Sequence, residues 1–184
     1  MPPLTSKQQR AIEAKAVARQ KKLWPDIERK NFWDKSKHRG FAIIPRTLPL
    51  IFHLMDSLEK GKPMSSTYFA LWCYSWDGHF VEIDNPNKLA MDAGFSGERA
   101  LTTWKTRMRL LEQWGFIESA SVETEFSYVI ILNPHIVIKK LYDDGKLSSM
   151  DQYYKRLIMR DTDLNAHGFA ITASVEETSK KEVS

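Results

Sequence analysis

Apolar residues along this chain change period several times, and each change marks an element. In TLPLIFHLMDSLEKGKP, Leu50, Ile51, Leu54, Met55 and Leu58 recur at the spacing of one helix face, and Gly61 and Pro63 end the pattern. SSTYFALWCYSW, beginning at Ser65, is apolar on almost every side, which predicts a capped, buried helix. HFVEI, with Val81 and Ile83, reads as a short strand. Asn85 as N-cap and Pro86 at the first helical position then open a helix that Gly94 closes after about two turns.

GFSGERALTTWKTRMRLLEQWGFI, Gly94 to Ile117, carries a long amphipathic helix. FIESAS (116–121) and FSYVIIL (126–132) follow as a hairpin around VETE. Asn133 and Pro134 start a helix with Val137, Ile138, Leu141 and Tyr142 on one side, stopped by Asp143, Asp144 and Gly145. A last amphipathic helix places Met150, Tyr153, Tyr154, Leu157 and Ile158 on its apolar stripe. Upstream, FAIIPR reads as a short strand or extended lead-in ending at Pro45.

The first forty residues pattern differently. Thr5 and Ser6, with Gln8 and Gln9 three positions on, form two overlapping capping boxes before an Ala-rich basic helix to about Lys22. Ile12 and Val17 are its chief large apolar residues, so this helix projects or orders on a partner. In LWPDIERKNFWDKSKHRG, Trp24, Phe32 and Trp33 stand among basic residues. Their expected role is to dock the segment onto the core, and stacking on bases is the alternative. The expected fold is mainly α with a small β-hairpin: a basic, partly helical arm over 1–40, a domain over 41–164 with flanking helices, and a polar, disordered tail over 165–184.

Composition fits one core with appendages, since 184 residues that are 42% hydrophobic hold little more. Cys73 is the single cysteine, which removes disulfide frameworks and CxxC metal knuckles. MPPLTSKQQR lacks a signal-peptide core, and no apolar run reaches the roughly 18 residues that span a bilayer, so a cytoplasmic protein with no membrane partner is expected. Charge placement adds more. Residues 1–40 hold eleven Lys or Arg against four acids, net +7, and the remainder is net −3. A basic arm on a slightly acidic body favours nucleic acid, because clustered cations release counterions from phosphate.

Signs of catalysis are missing. His38, His53, His79, His135 and His167 have no HxxxH or HExxH spacing, and no GxxxxGK[ST] or GxGxxG occurs. Asp143 and Asp144 read as a helix terminus, and Cys73 beside Trp72 and Tyr74 as a buried, inert thiol. A protein that is not an enzyme, with no cofactor and no metal, is the expectation.

From 65 to 132 the predicted order is helix, short strand, short helix, tight turn, long helix, strand, wing, strand. With Leu89-Ala90, Gly94-Phe95-Ser96 at the turn, Leu111, and Gly115-Phe116-Ile117 at the approach to the wing, this stretch resembles the winged helix-turn-helix family. The resemblance implies a DNA-binding domain whose second helix, from near Ser96, enters the major groove. Two features depart from it. Ser96 to Gly115 is about one helical turn longer than in common bacterial members, so the helix is lengthened or its start displaced. The wing tip SVETEF carries Glu123 and Glu125, with Glu118 nearby, and no cation, so it is expected to stand away from DNA or touch protein.

A helical wheel, at about 100° per residue, is independent of the family. Leu101, Trp104, Met108, Leu111 and Gly115 form the core face. Arg99, Thr102, Thr103, Thr106, Arg109 and Gln113 lie opposite, with Glu98 and Lys105 at the margin. Arg, Thr and Gln can bond base edges or phosphates, and no carboxylate sits at the centre of that face.

The expected function is sequence-selective binding of double-stranded DNA. Ser96, Arg99, Thr102, Thr103, Lys105, Thr106 and Arg109 would meet the groove, and Lys7, Arg10, Lys15, Arg19, Lys21 and Lys22 would hold phosphate. Helical flanks around such a core resemble plasmid and phage initiator and accessory proteins as much as transcriptional regulators. A homodimer through the tyrosine-rich carboxy-terminal stripe is expected, since two-fold readers match two-fold sites. The alternatives are a protein–protein adaptor using the acidic wing and a single-strand or RNA binder using Trp24 to Trp33.

Overall fold

A computed structural model describes residues 6–34, 36–75 and 79–169 and shows a mainly helical protein with a small antiparallel sheet. The chain forms two units, Met1–Phe41 and Ala42–Ser184. Thr5, the side chain of Ser6 and tail residues 170–184 lie outside the described residues, and with them the expected cap and most of the expected disordered tail. Among the described residues no helix is long and apolar enough to cross a membrane.

The first unit consists of α1 (Ser6–Leu23) and a 3-10 turn at Arg29–Asn31. Its side chains, where described, are exposed from Lys7 to Phe41 except for half-buried Asp34. Trp24 and Trp33 are 55% and 65% exposed. Both have partners within the unit. Trp24, Ile27 and Phe32 line a shallow pocket of about 380 Å³ with Val17 and Lys21, and the Trp33 ring stacks on His38 with centroids 4.6 Å apart.

In the second unit, α2 (Leu48–Ser57), α3 (Ser65–Tyr74), β1 (Phe80–Glu82), α4 (Pro86–Asp92), α5 (Ala100–Gln113), β2 (Ile117–Ala120), β3 (Tyr128–Ile131), α6 (Pro134–Asp143) and α7 (Asp151–Leu164) follow in order. The sheet runs β1-β3-β2, all antiparallel, with Val81 opposite Val129 and Ile117 opposite Ile131. One core gathers Ile51, Leu54, Tyr68, Leu71, Trp104, Met108, Phe116 and Val129.

FAIIPR is not a strand but the alternative, a lead-in to α2: residues 41–45 have no regular structure, Ile43 is exposed, and Pro45 has no N–H to donate to a ladder. At α3 the expected cap is also replaced. Met64 sits at the N-cap position, and the Asp56 carboxylate of α2 accepts from the N–H groups of Met64 and Ser65 at 2.7 and 2.9 Å. The same helix is not buried all round. Thr67, Tyr68, Leu71 and Trp72 face inward, whereas Phe69 and Cys73, four apart, share the outer face. Cys73 is thus exposed, and partial desolvation pushes its thiol pKa up and away from the reactive thiolate.

The stripe of α7 faces the core as expected, with Met150 and Tyr153 half-buried against it and Ile158 at its margin. Tyr154, Leu157 and Asp161 are buried, and Ile158 is exposed. The Tyr154 ring stacks on Tyr142 of α6 at 3.7 Å, so the tyrosine-rich stripe packs on its own core.

Asp161 is buried because it belongs to a polar knot beneath the α6 amino terminus. Asn133 caps α6 by accepting from the His135 N–H at 3.0 Å, and His135 Nε2 lies 2.8 Å from Thr47 Oγ1. Asp161 Oδ1 accepts from the Gly168 N–H at 3.0 Å, and a Cβ on Gly168 would come within 2.7 Å of the His135 ring. Only glycine fits that approach. Burial pushes the His135 pKa below 6.5, against the opposing pull of Asp161, so the ring is neutral at pH 7 and their 3.8 Å approach is not an ion pair. The sign follows: below 6.5 the unfolded chain takes up the proton first, so this contribution to stability is complete above 6.5 and is lost as pH falls through the lower folded value. Thermal melts from pH 7.5 to 5 should show a fall in melting temperature that His135→Gln flattens. An unchanged slope in that variant would remove His135 as the cause.

Candidate nucleic-acid interface

Residues 89–115 place the candidate helix through a chain of local constraints. Asn85 Oδ1 accepts from the Lys88 N–H at 3.2 Å and opens α4, whose Leu89 and Ala90 are buried. Gly94, at φ +90°, turns the chain out of α4, a backbone conformation that side chains with a Cβ rarely adopt. Phe95 N–H then bonds back to the Ala90 carbonyl at 3.0 Å. Ser96 is exposed in this turn and Gly97 has φ +79°. The helix itself starts at Ala100, with Arg99 as its N-cap. Of the two explanations for the long span from Ser96 to Gly115, the displaced start is the one observed.

The core face of α5 is as the wheel expects, with Trp104, Met108 and Leu111 buried and Leu101 half-buried. On the opposite face Arg99, Thr102, Arg109 and Gln113 are exposed, and Thr103 and Thr106 are half-buried. Thr106 differs from a free base-reading hydroxyl: its Oγ1 donates to the Thr102 carbonyl at 2.9 Å, which leaves it only acceptor capacity.

The wing adds a contact within the chain. Glu125 reaches α5. Its Oε1 accepts from Arg109 Nε and Nη2 at 3.0 and 2.7 Å, and its Oε2 lies 3.0 Å from Lys105 Nζ. Partial desolvation pushes the Glu125 pKa up, but the bonds from Lys105 and Arg109 outweigh it, and the carboxyl titrates below its ordinary value of 4.5. Two of the expected groove-facing cations are therefore already engaged along the wing-side edge of α5. Arg99 and the three threonines form the remainder of the face.

Phe126 is what brings Glu125 there. Expected within a strand, it lies instead in the connector between β2 and β3, with φ 65° and its ring buried against Trp104. A left-handed Phe is strained by about 1–3 kcal/mol, and burial of its side chain offsets a similar amount. Ser127 Oγ closes the loop, accepting from the Thr124 N–H at 3.0 Å and donating to the Thr124 carbonyl at 2.8 Å. On the other side of the loop, Glu112 Oε1 accepts from the Ser119 hydroxyl at 2.6 Å and ties α5 to β2. Glu125 was visible in the sequence as an acidic wing residue, and Lys105 and Arg109, four apart, were visible as a cationic edge. Nothing in either stretch gave the fold-back that joins them.

The arm cations Lys7, Arg10, Lys15, Arg19, Lys21 and Lys22 are all exposed on α1 or at its end. Compared with known proteins, the chain matches no family model, no curated protein and no solved structure.

Proposed function

We propose that this protein binds double-stranded DNA in a sequence-selective manner through a winged helix-turn-helix, with α5 as the reading helix. The observation that carries the proposal is the division of α5. One face is fixed in the core by Trp104, Met108 and Leu111, and the other presents Arg99, Thr102 and Thr103 without a carboxylate at its centre. The order α3, β1, α4, α5, β2, β3 with sheet order β1-β3-β2 supports the same reading. The arm adds sequence-independent phosphate contacts, as its net charge of +7 favours. A transcriptional regulator and a plasmid or phage replication or maintenance factor are both consistent with such a reader.

Selection of bound duplexes from a random pool tests this directly. The wild-type protein should enrich one motif, and Arg99→Ala with Thr103→Ala should lose that enrichment while keeping weaker, salt-sensitive binding to all duplexes. With each good base contact contributing about 1–3 kcal/mol of discrimination, the double variant should bind the motif on the order of 100-fold more weakly. A palindromic motif would report a two-fold assembly. Retention of the same motif by the double variant would remove α5 as the reader.

A second reading has one observation in its favour. The exposed indoles of Trp24 and Trp33 among cations suit stacking on unpaired bases. Preference for single strands over duplex, lost in Trp33→Ala, would support it over the first. For the adaptor reading the wing offers the exposed Glu123, while Glu125 is engaged by α5.

A further inference from the structure

Arg109 has five N–H donors, and the way Glu125 takes two of them determines what the rest can do. The carboxylate oxygen bonds Nε–H and one Nη2–H, the side of the guanidinium. The terminal pair, one hydrogen on Nη1 and the second on Nη2, has no partner among the described residues. Arg109 remains 58% exposed. A terminal N–H pair in that fixed plane matches the two acceptors, O6 and N7, that guanine presents in the major groove.

We infer that Glu125 is a positioning residue that holds the Arg109 guanidinium side-on so that its terminal fork reads a guanine in duplex DNA. This rests on the duplex-reading role of α5 proposed above. A free arginine would have to lose side-chain entropy when it meets the base; here the bonds to Glu125 supply part of that ordering before contact. Lys105 on the other carboxylate oxygen keeps Glu125 from being an uncompensated negative charge near phosphate. The buried, left-handed Phe126 and the Ser127 bonds hold the connector, so Glu125 is carried on a fixed loop. The wing then acts on specificity without touching DNA through cations of its own.

The test uses the full chain, a random duplex pool, and affinities for the selected duplex and a scrambled one at fixed salt. The wild type should select guanine at one motif position where Arg109→Ala and Arg109→Lys both lose the preference, since lysine keeps the charge and lacks the fork. Glu125→Ala should cut discrimination at that position on the order of 10-fold, leaving affinity for the scrambled duplex equal or higher. Glu125→Gln, which keeps an acceptor oxygen and the loop's shape, should recover part of the preference. Glu125→Ala in an Arg109→Ala background should change nothing further at that position. Melting curves should show every variant folded, because an exposed pair of this kind contributes little to stability. If Glu125→Ala tightens both duplexes equally and keeps the guanine, the residue is only a repulsive charge and the inference is overturned while α5 remains the reader. If the wild type binds no duplex, the reading beneath it fails first.

Discussion

Trp104→Ala is expected to destabilise the Ala42–Ser184 unit by about 4 kcal/mol, the range for deleting a fully buried aromatic. Trp104 is wholly buried at the centre of α5, and its ring meets Phe126 edge to face at 5.9 Å. Its loss opens a cavity between the helix and the wing connector and removes the contact that offsets the strain at Phe126. Against a typical total of about 5–15 kcal/mol, the variant keeps little margin. Phe should be tolerated far better than Ala, because Trp104 Nε1 is buried without a hydrogen-bond partner among the described residues, and Phe removes that orphan donor with only part of the volume. Thermal or denaturant melts of the two variants measure the difference. Equal, small shifts for both would mean that the ring does not carry the packing assigned to it.

Deletion of residues 1–22 should produce the largest change in binding. The segment removes Lys7, Arg10, Lys15, Arg19, Lys21 and Lys22, and each phosphate contact contributes roughly 0.9 to the slope of log affinity against log salt. If all six engage phosphate, the slope should flatten by about 5 and duplex affinity at moderate salt should fall on the order of 100-fold. The loss should be equal for preferred and scrambled sequences, because phosphate contacts carry no base information. The core should keep its stability, since residues 42–184 form a compact unit of their own. An unchanged salt slope in the truncated protein would show that the arm does not meet DNA. A loss confined to one sequence would transfer base reading from α5 to the arm.

Much of the architecture was legible because it is written in short-range rules. Asn85 and Pro86 announce α4, and Asn133 and Pro134 announce α6, since a capping oxygen and a ring-fixed φ act within one helical turn. The two faces of α5 follow from spacing alone. Errors fell where a residue's fate depends on something distant in sequence. Asp56 caps α3 from the preceding helix, Phe126 leaves its strand to fill a space beside Trp104, and Asp161 is buried on the apolar face of α7, where it bonds Gly168.

For the candidate interface the division is the same. By itself the sequence determined which side chains α5 turns outward, because a 3.6-residue period fixes direction once one face is apolar, and it determined that the arm is cationic. The tertiary structure alone decided where the helix begins, that the Thr106 hydroxyl proton is spent on the Thr102 carbonyl, and that Glu125 folds back on Lys105 and Arg109. Those outcomes depend on the strained turn at Phe126 and its burial against Trp104, a contact between residues 22 positions apart that no local periodicity encodes.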